Sequence, residues 1–120
     1  MSITADLIRG HTDTIILAAL LSEDSYGYRI SRMISKQTDG RFEMKEATLY
    51  TAFKRLEESG CISSYWGEEG TGARRRYYAI TAKGRETYAR LMHEWEEAGA
   101  LIERLIRTPA ADGASFDRKE

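Results

Sequence analysis

A chain of 120 residues, 42% of them hydrophobic, can bury one core and leaves no room for a separate catalytic module. Its formal charge of -1 excludes a uniformly basic surface. The charge is uneven, however: ten basic against seven acidic residues from Arg41 to Arg90, and four against seven from Leu91 to Glu120, so a phosphate-binding face in the middle remains open.

The first predicted element is an amphipathic helix from about Ala5 to Leu21, because Ile8, Thr12, Ile15, Ile16, Ala19 and Leu20 recur at three- and four-residue steps. Its longest apolar run, Ile15 to Leu21, is too short to span a bilayer, and no basic start with an apolar stretch and cleavage site opens the chain. A cytoplasmic protein without a membrane partner is expected. Tyr26, Ile30, Met33 and Ile34 repeat the helical spacing on a second helix, which should stop near Thr38, Asp39 and Gly40. After a short extended link, "RFEMK", the stretch "EATLYTAFKRLEESG" places Leu49, Phe53 and Leu56 on one face and closes at Gly60, giving a third helix with a glycine cap.

The period then changes from 3.6 to 2. Ile62 to Trp66 reads as one strand, "GEEGTGA" as a loose turn, and Arg74 to Thr81 as a second strand. "TAKGRETYARL" begins a last helix, with Thr81 as N-cap. Along it Tyr88, Leu91, Trp95, Ala98, Ile102 and Leu105 form a heptad seam that calls for a partner helix, a second copy being the preferred one over packing on its own domain. The final "TPAADGASFDRKE" has no period and is expected to be a mobile tail. The expected fold is mostly α (α+β): a winged helix-turn-helix over residues 1–81, a dimerisation helix over 82–107 and a tail over 108–120.

In that layout the third helix enters the major groove of DNA and the hairpin wing touches the neighbouring backbone. Thr48, Tyr50, Thr51, Lys54 and Arg55 lie off the apolar stripe of the third helix, where hydroxyls and cationic heads suit phosphates and base edges. Taken alone they are equally an ordinary solvated face. The wing adds weight: of Arg74, Arg75 and Arg76 at least one must point away from the core, Tyr78 and Ile80 or their alternates anchor the strand, and the turn around Gly70 and Gly72 allows close approach to a phosphate.

The other candidates carry no reaction. Cys61 is a lone cysteine, read as a small buried apolar residue. His11 and His93 are isolated, with no second ligand at metal spacing. Trp66 should cover the core or the wing base. Glu57 with Glu58, and Glu68 with Glu69, are adjacent rather than opposed carboxylates. No enzyme, cofactor or metal is expected.

"YGYRI", "EATLYTAFKRLEESGCI" and "GARRRYYAITAKG" resemble the signature segments of the PadR family of bacterial transcriptional regulators, over roughly Thr12 to Ile106. The resemblance implies a homodimeric winged-helix repressor bound to double-stranded DNA at an inverted-repeat operator. The short last helix is similar to the compact, multidrug-responsive branch, in which a tryptophan of that helix faces its symmetry mate and stacks planar drugs. Trp95 matches it, and the ligand site implied comprises Trp95, Ala98, Gly99, Met92 and Ile15. On the residues themselves, Ala98 and Gly99 are too small to fill the space beside an indole, and Glu96 or Glu97 would favour a cation; a Trp95 that only packs the dimer core stays open. The alternative function is a protein-interaction module acting through the acidic last helix, with no small-molecule ligand.

Overall fold

The pattern that predicts one helix over 5–21 produces two. In the computed structural model, which describes residues 3–68 and 74–112, α1 spans Ile3–Arg9 and α2 spans Thr12–Ala19. The break falls at Gly10 and His11, where His11 leaves the helical region (φ -117°, ψ 24°). The Thr12 hydroxyl donates to the Arg9 carbonyl at 2.8 Å and the His11 amide to the Ile8 carbonyl at 2.9 Å. Glycine disfavours a helix interior by about 1 kcal/mol, so the chain turns there. The apolar period continues across the turn, which is why the sequence reads as one element.

Helix α3 spans Gly27–Gln37 and is stopped by Asp39 and Gly40, both at positive φ. Helix α4 spans Glu46–Glu58. It ends as expected at Gly60, whose φ of 84° is left-handed; the Gly60 amide donates to the Glu57 carbonyl and the Cys61 amide to the Leu56 carbonyl, at 3.0 and 2.9 Å. Strands β1 (Ile62–Glu68) and β2 (Arg74–Ile80) pair antiparallel, from Ile62 opposite Ile80 to Glu68 opposite Arg74. The predicted turn at Gly70 and Gly72 lies outside the described residues; of the expected tail over 108–120, residues 108–112 instead continue the last helix and the rest lies outside the described residues.

A two-residue ladder that the sequence does not announce fixes the wing's base. The Ser25 amide donates to the Tyr78 carbonyl at 3.1 Å, and the Tyr78 amide to the Ser25 carbonyl at 2.8 Å. Helix α5 spans Ala82–Asp112, reaching past Arg107. Thr81 caps it, accepting a bond from the Gly84 amide at 3.0 Å. The chain divides into two compact units, Met1–Tyr88 and Ala89–Glu120, so the opening turns of α5 go with the first.

The core of the first unit is supplied by Ile16, Leu17 and Leu20 of α2, Ile30 and Ile34 of α3, Leu49, Phe53 and Leu56 of α4, and Ile62 and Tyr78 of the wing. Each large apolar side chain removed from water contributes about 1.5–3 kcal/mol. Phe53 joins the layers, with its ring stacked on Tyr78 at 4.1 Å between centroids. Cys61 is buried, as the sequence suggests.

Candidate nucleic-acid interface

Because Leu49, Ala52, Phe53 and Leu56 are drawn inward, helical geometry leaves the opposite face of α4 to solvent. Tyr50, Thr51, Lys54 and Arg55 are exposed there, and Thr48 is half-buried. Tyr50 is 47% exposed, yet its ring is held edge-on against Phe53 at 5.7 Å. A Cβ on Gly27 would meet the Tyr50 Oη at 2.8 Å, so the phenol overhangs the start of α3 and would have to swing aside for a larger residue there. The Thr51 hydroxyl donates to the Ala47 carbonyl at 2.9 Å, which leaves its oxygen as an acceptor. Lys54 makes no ion pair with any described residue.

Arg55 is different. Its Nη2 pairs with Asp13 Oδ1 of α2, and its Nε donates to Asp13 Oδ2 at 3.4 Å. That hydrogen bond is the main reason the guanidinium pKa is raised above its ordinary value.

The wing arginines alternate between faces. Arg74 and Arg76 lie over the Trp66 ring, at 5.0 and 5.7 Å from its centroid. Arg76 is also tied back to α4: its Nη2 donates to the Ser64 hydroxyl at 2.8 Å and lies 3.7 Å from a Glu57 carboxylate oxygen. Trp66 is thus not a core cover but an exposed platform for two cations, because its place in the register turns it outward beyond Ser64. Arg75 points to the other face and sits 4.6 Å over Tyr26, whose ring also carries Arg29 at 5.0 Å. Tyr65 stacks on Tyr77, Tyr77 meets Tyr26 edge-on, and the Tyr65 hydroxyl donates to Asp24 at 2.7 Å. This bond favours the protonated phenol and raises the Tyr65 pKa. The aromatic cluster holds the wing against the α2–α3 connection.

On α5, Trp95 is 53% exposed, Ala98 exposed, and Met92 and Gly99 half-buried. All four share one helix, whereas Ile15 is a half-buried residue of α2 in the other compact unit.

The family profile described as "Transcriptional regulator PadR-like family" matches residues 16–90, which contain α3, α4 and the wing. The chain belongs to the PadR-like family of transcriptional regulators. A solved transcriptional regulator from Clostridium thermocellum is 47% identical, superimposes with a TM-score of 0.79, and is covered over its whole length by 88% of this chain. A PadR family transcription regulator from Clostridium difficile R20291 is 34% identical, with a TM-score of 0.67 over 80% of this chain and 98% of its own. An uncharacterized protein of Lysinibacillus sphaericus is 45% identical over 101 residues, 84% of this chain and 93% of that one.

In this PadR-family regulator, a DNA-binding winged helix, a further group of cations lies along α3. Arg29, Arg32 and Lys36 of α3, with Lys45 before α4, line a cleft of about 730 Å3 that also holds Glu43 and Glu46. Sequence reasoning passed over them, although the signal was present: Arg29, Arg32 and Lys36 recur at three and four residues, off the Ile30 and Ile34 stripe. No described helix of this PadR-family chain is long and apolar enough to cross a membrane, and no three His, Cys, Asp or Glu residues converge among the described residues. His11 and His93 are both exposed.

Proposed function

We propose that the chain is a dimeric repressor of the PadR type, in which α4 enters the major groove of an inverted-repeat operator and the wing grips the adjacent backbone. The observation that carries this is the row of exposed Tyr50, Thr51 and Lys54 on α4, flanked by wing arginines that rest on aromatic rings. Stacking pre-orients a guanidinium without neutralising it, so the exposed Arg74 offers its charge to phosphate, with Arg75 on the other, half-buried face of the strand. Tyr50, Thr51 and Lys54 supply the groove contacts, with Thr48 and Arg55 beside them. Arg76, shared with Glu57, mainly braces the wing. Arg29, Arg32 and Lys36 extend the basic surface along α3.

Lys54→Ala is expected to weaken binding to every duplex and to flatten the slope of log affinity against log salt by about one contact. Fluorescence anisotropy across a salt series measures both. An unchanged slope removes Lys54 from the interface, and with it the central assignment of α4. A protein-interaction module working through α5 would show no such salt dependence.

Two copies of α5, joined along the seam of Leu91, Trp95, Ala98, Ile102 and Leu105, would present two α4 helices to successive major grooves about 34 Å apart. A planar aromatic ligand stacked between two Trp95 indoles, with Ala98 and Gly99 leaving space and Met92 beside it, would favour one spacing and so relieve repression. Planar cationic dyes are then expected to quench tryptophan fluorescence. Trp95→Ala should abolish most of the quenching while the dimer persists; equal quenching in the variant, which retains Trp66, rules out the Trp95 site.

A further inference from the structure

We infer that Asp13 stands in for a DNA phosphate in the unbound protein, holding Arg55 out of indiscriminate contact with DNA. The inference rests on the proposed DNA interface and concerns its α2 flank. Arg55 directs both Nη2 and Nε to the two carboxylate oxygens of Asp13. This two-point geometry is the one a guanidinium uses on a phosphate. The partners lie 42 positions apart in the chain, so the pair is a tertiary contact between α2 and α4 rather than a neighbour effect along one helix.

The surroundings repeat the arrangement. Arg55 lines a shallow groove of about 410 Å3 with Arg9, Thr12, Thr48 and Thr51, and Arg9 is itself held by Asp6 at 2.5 Å. The two cations that line this groove are therefore each matched by a carboxylate of the same chain. The wing side differs, since Arg74 and Arg75 rest on Trp66 and Tyr26 rings. On the α2 flank of α4 the cations are answered by carboxylates.

The Asp13–Arg55 pair is roughly half exposed, and exposed ion pairs are weak enough for a phosphate to displace. Recruiting Arg55 exchanges one anion for another, which gains little, and a backbone that approaches out of register meets the Asp13 carboxylate instead. Asp13 thereby lowers affinity for arbitrary duplexes more than for one seated correctly on α4.

The test measures binding of wild type, Asp13→Ala, Arg55→Ala and the double variant to a duplex of unrelated sequence, across a salt series. With Arg55 released to one additional phosphate, Asp13→Ala should bind roughly five- to tenfold more tightly near 0.1 M salt, with a slope steeper by about 0.9. Arg55→Ala, which leaves the Asp13 carboxylate without its cation, should bind no more tightly than wild type, and the double variant should lose the gain. Asp13→Asn, which keeps a polar side chain at the start of α2, should reproduce the gain if the alanine variant melts early. Unchanged or weaker binding of both Asp13 variants overturns the inference while leaving the interface intact. An equal gain without Arg55 also overturns it, reducing Asp13 to simple repulsion. Wild type that binds no duplex even at low salt sinks the interface reading itself.

Discussion

Replacing Phe53 by Ala is expected to lower the stability of the folded unit by about 3–5 kcal/mol, and its melting temperature by roughly 12–40 °C. The residue is almost completely buried and sits where three parts of the proposed interface meet. Its own helix carries the outward row, its ring stacks on Tyr78 of β2, and it supports Tyr50 in a T-shaped contact. Removing it leaves a cavity beneath both the recognition helix and the wing, with Tyr78 losing its stacking partner. Surviving folded protein should bind DNA poorly, because Tyr50 and the wing lose their common support. Tyr50→Ala provides the contrast: the ring is half exposed, so stability should change by only about 1 kcal/mol while duplex binding falls. Thermal melts and anisotropy on both variants decide the matter. A Phe53→Ala melt within a few degrees of wild type would show that the three parts are not joined there.

What the sequence made legible follows from local chemistry. Gly60 after a periodic stretch announced the end of α4, and Thr81 before another announced the start of α5, because caps depend on residues a few positions apart. The order of three helical regions and a hairpin, and hence the winged helix, followed from the change of period. The division of α1 from α2 did not, because Gly10 and His11 interrupt the backbone without interrupting the apolar spacing. Contacts across long separations were equally invisible: the Ser25–Tyr78 ladder, the Tyr65 hydroxyl on Asp24 and the Asp13–Arg55 pair. These contacts decide what each cation is available for. Of residues that look alike in the sequence, Lys54 stands clear, Arg55 is matched by a carboxylate, and Arg74 and Arg75 rest on rings on opposite faces of one strand. Trp66 shows the same limit. Its outward position follows from the strand register, and its role from arginines across and diagonal to it.

The second large effect is expected from a charge placed in the α5 seam. Ile102→Glu should convert a dimer to a monomer in light scattering, and should weaken binding to a duplex with two half-sites by a factor of roughly 100 or more, since linked sites gain 10²–10⁴ in avidity. The reason lies in what α5 leaves uncovered. Leu101, Ile102, Leu105 and Ile106 are all at least half exposed, Leu105 to 73%. A helix of 31 residues with such a stripe is stabilised chiefly by burying it against something. Its heptad spacing fits another helix, and the acidic excess of the segment lies off the seam. The wide apolar end, where Leu101 and Ile106 flank Ile102 and Leu105, is where an unpaired carboxylate is hardest to accommodate. Binding to a single half-site should be unchanged, because α4 and the wing belong to the other compact unit. Glu103→Lys, which breaks the surface pair with Arg107, should leave both mass and affinity as they were. If Ile102→Glu keeps the mass and two-site affinity of wild type, the seam is not the dimer contact, and the proposal that α5 couples two recognition helices falls with it.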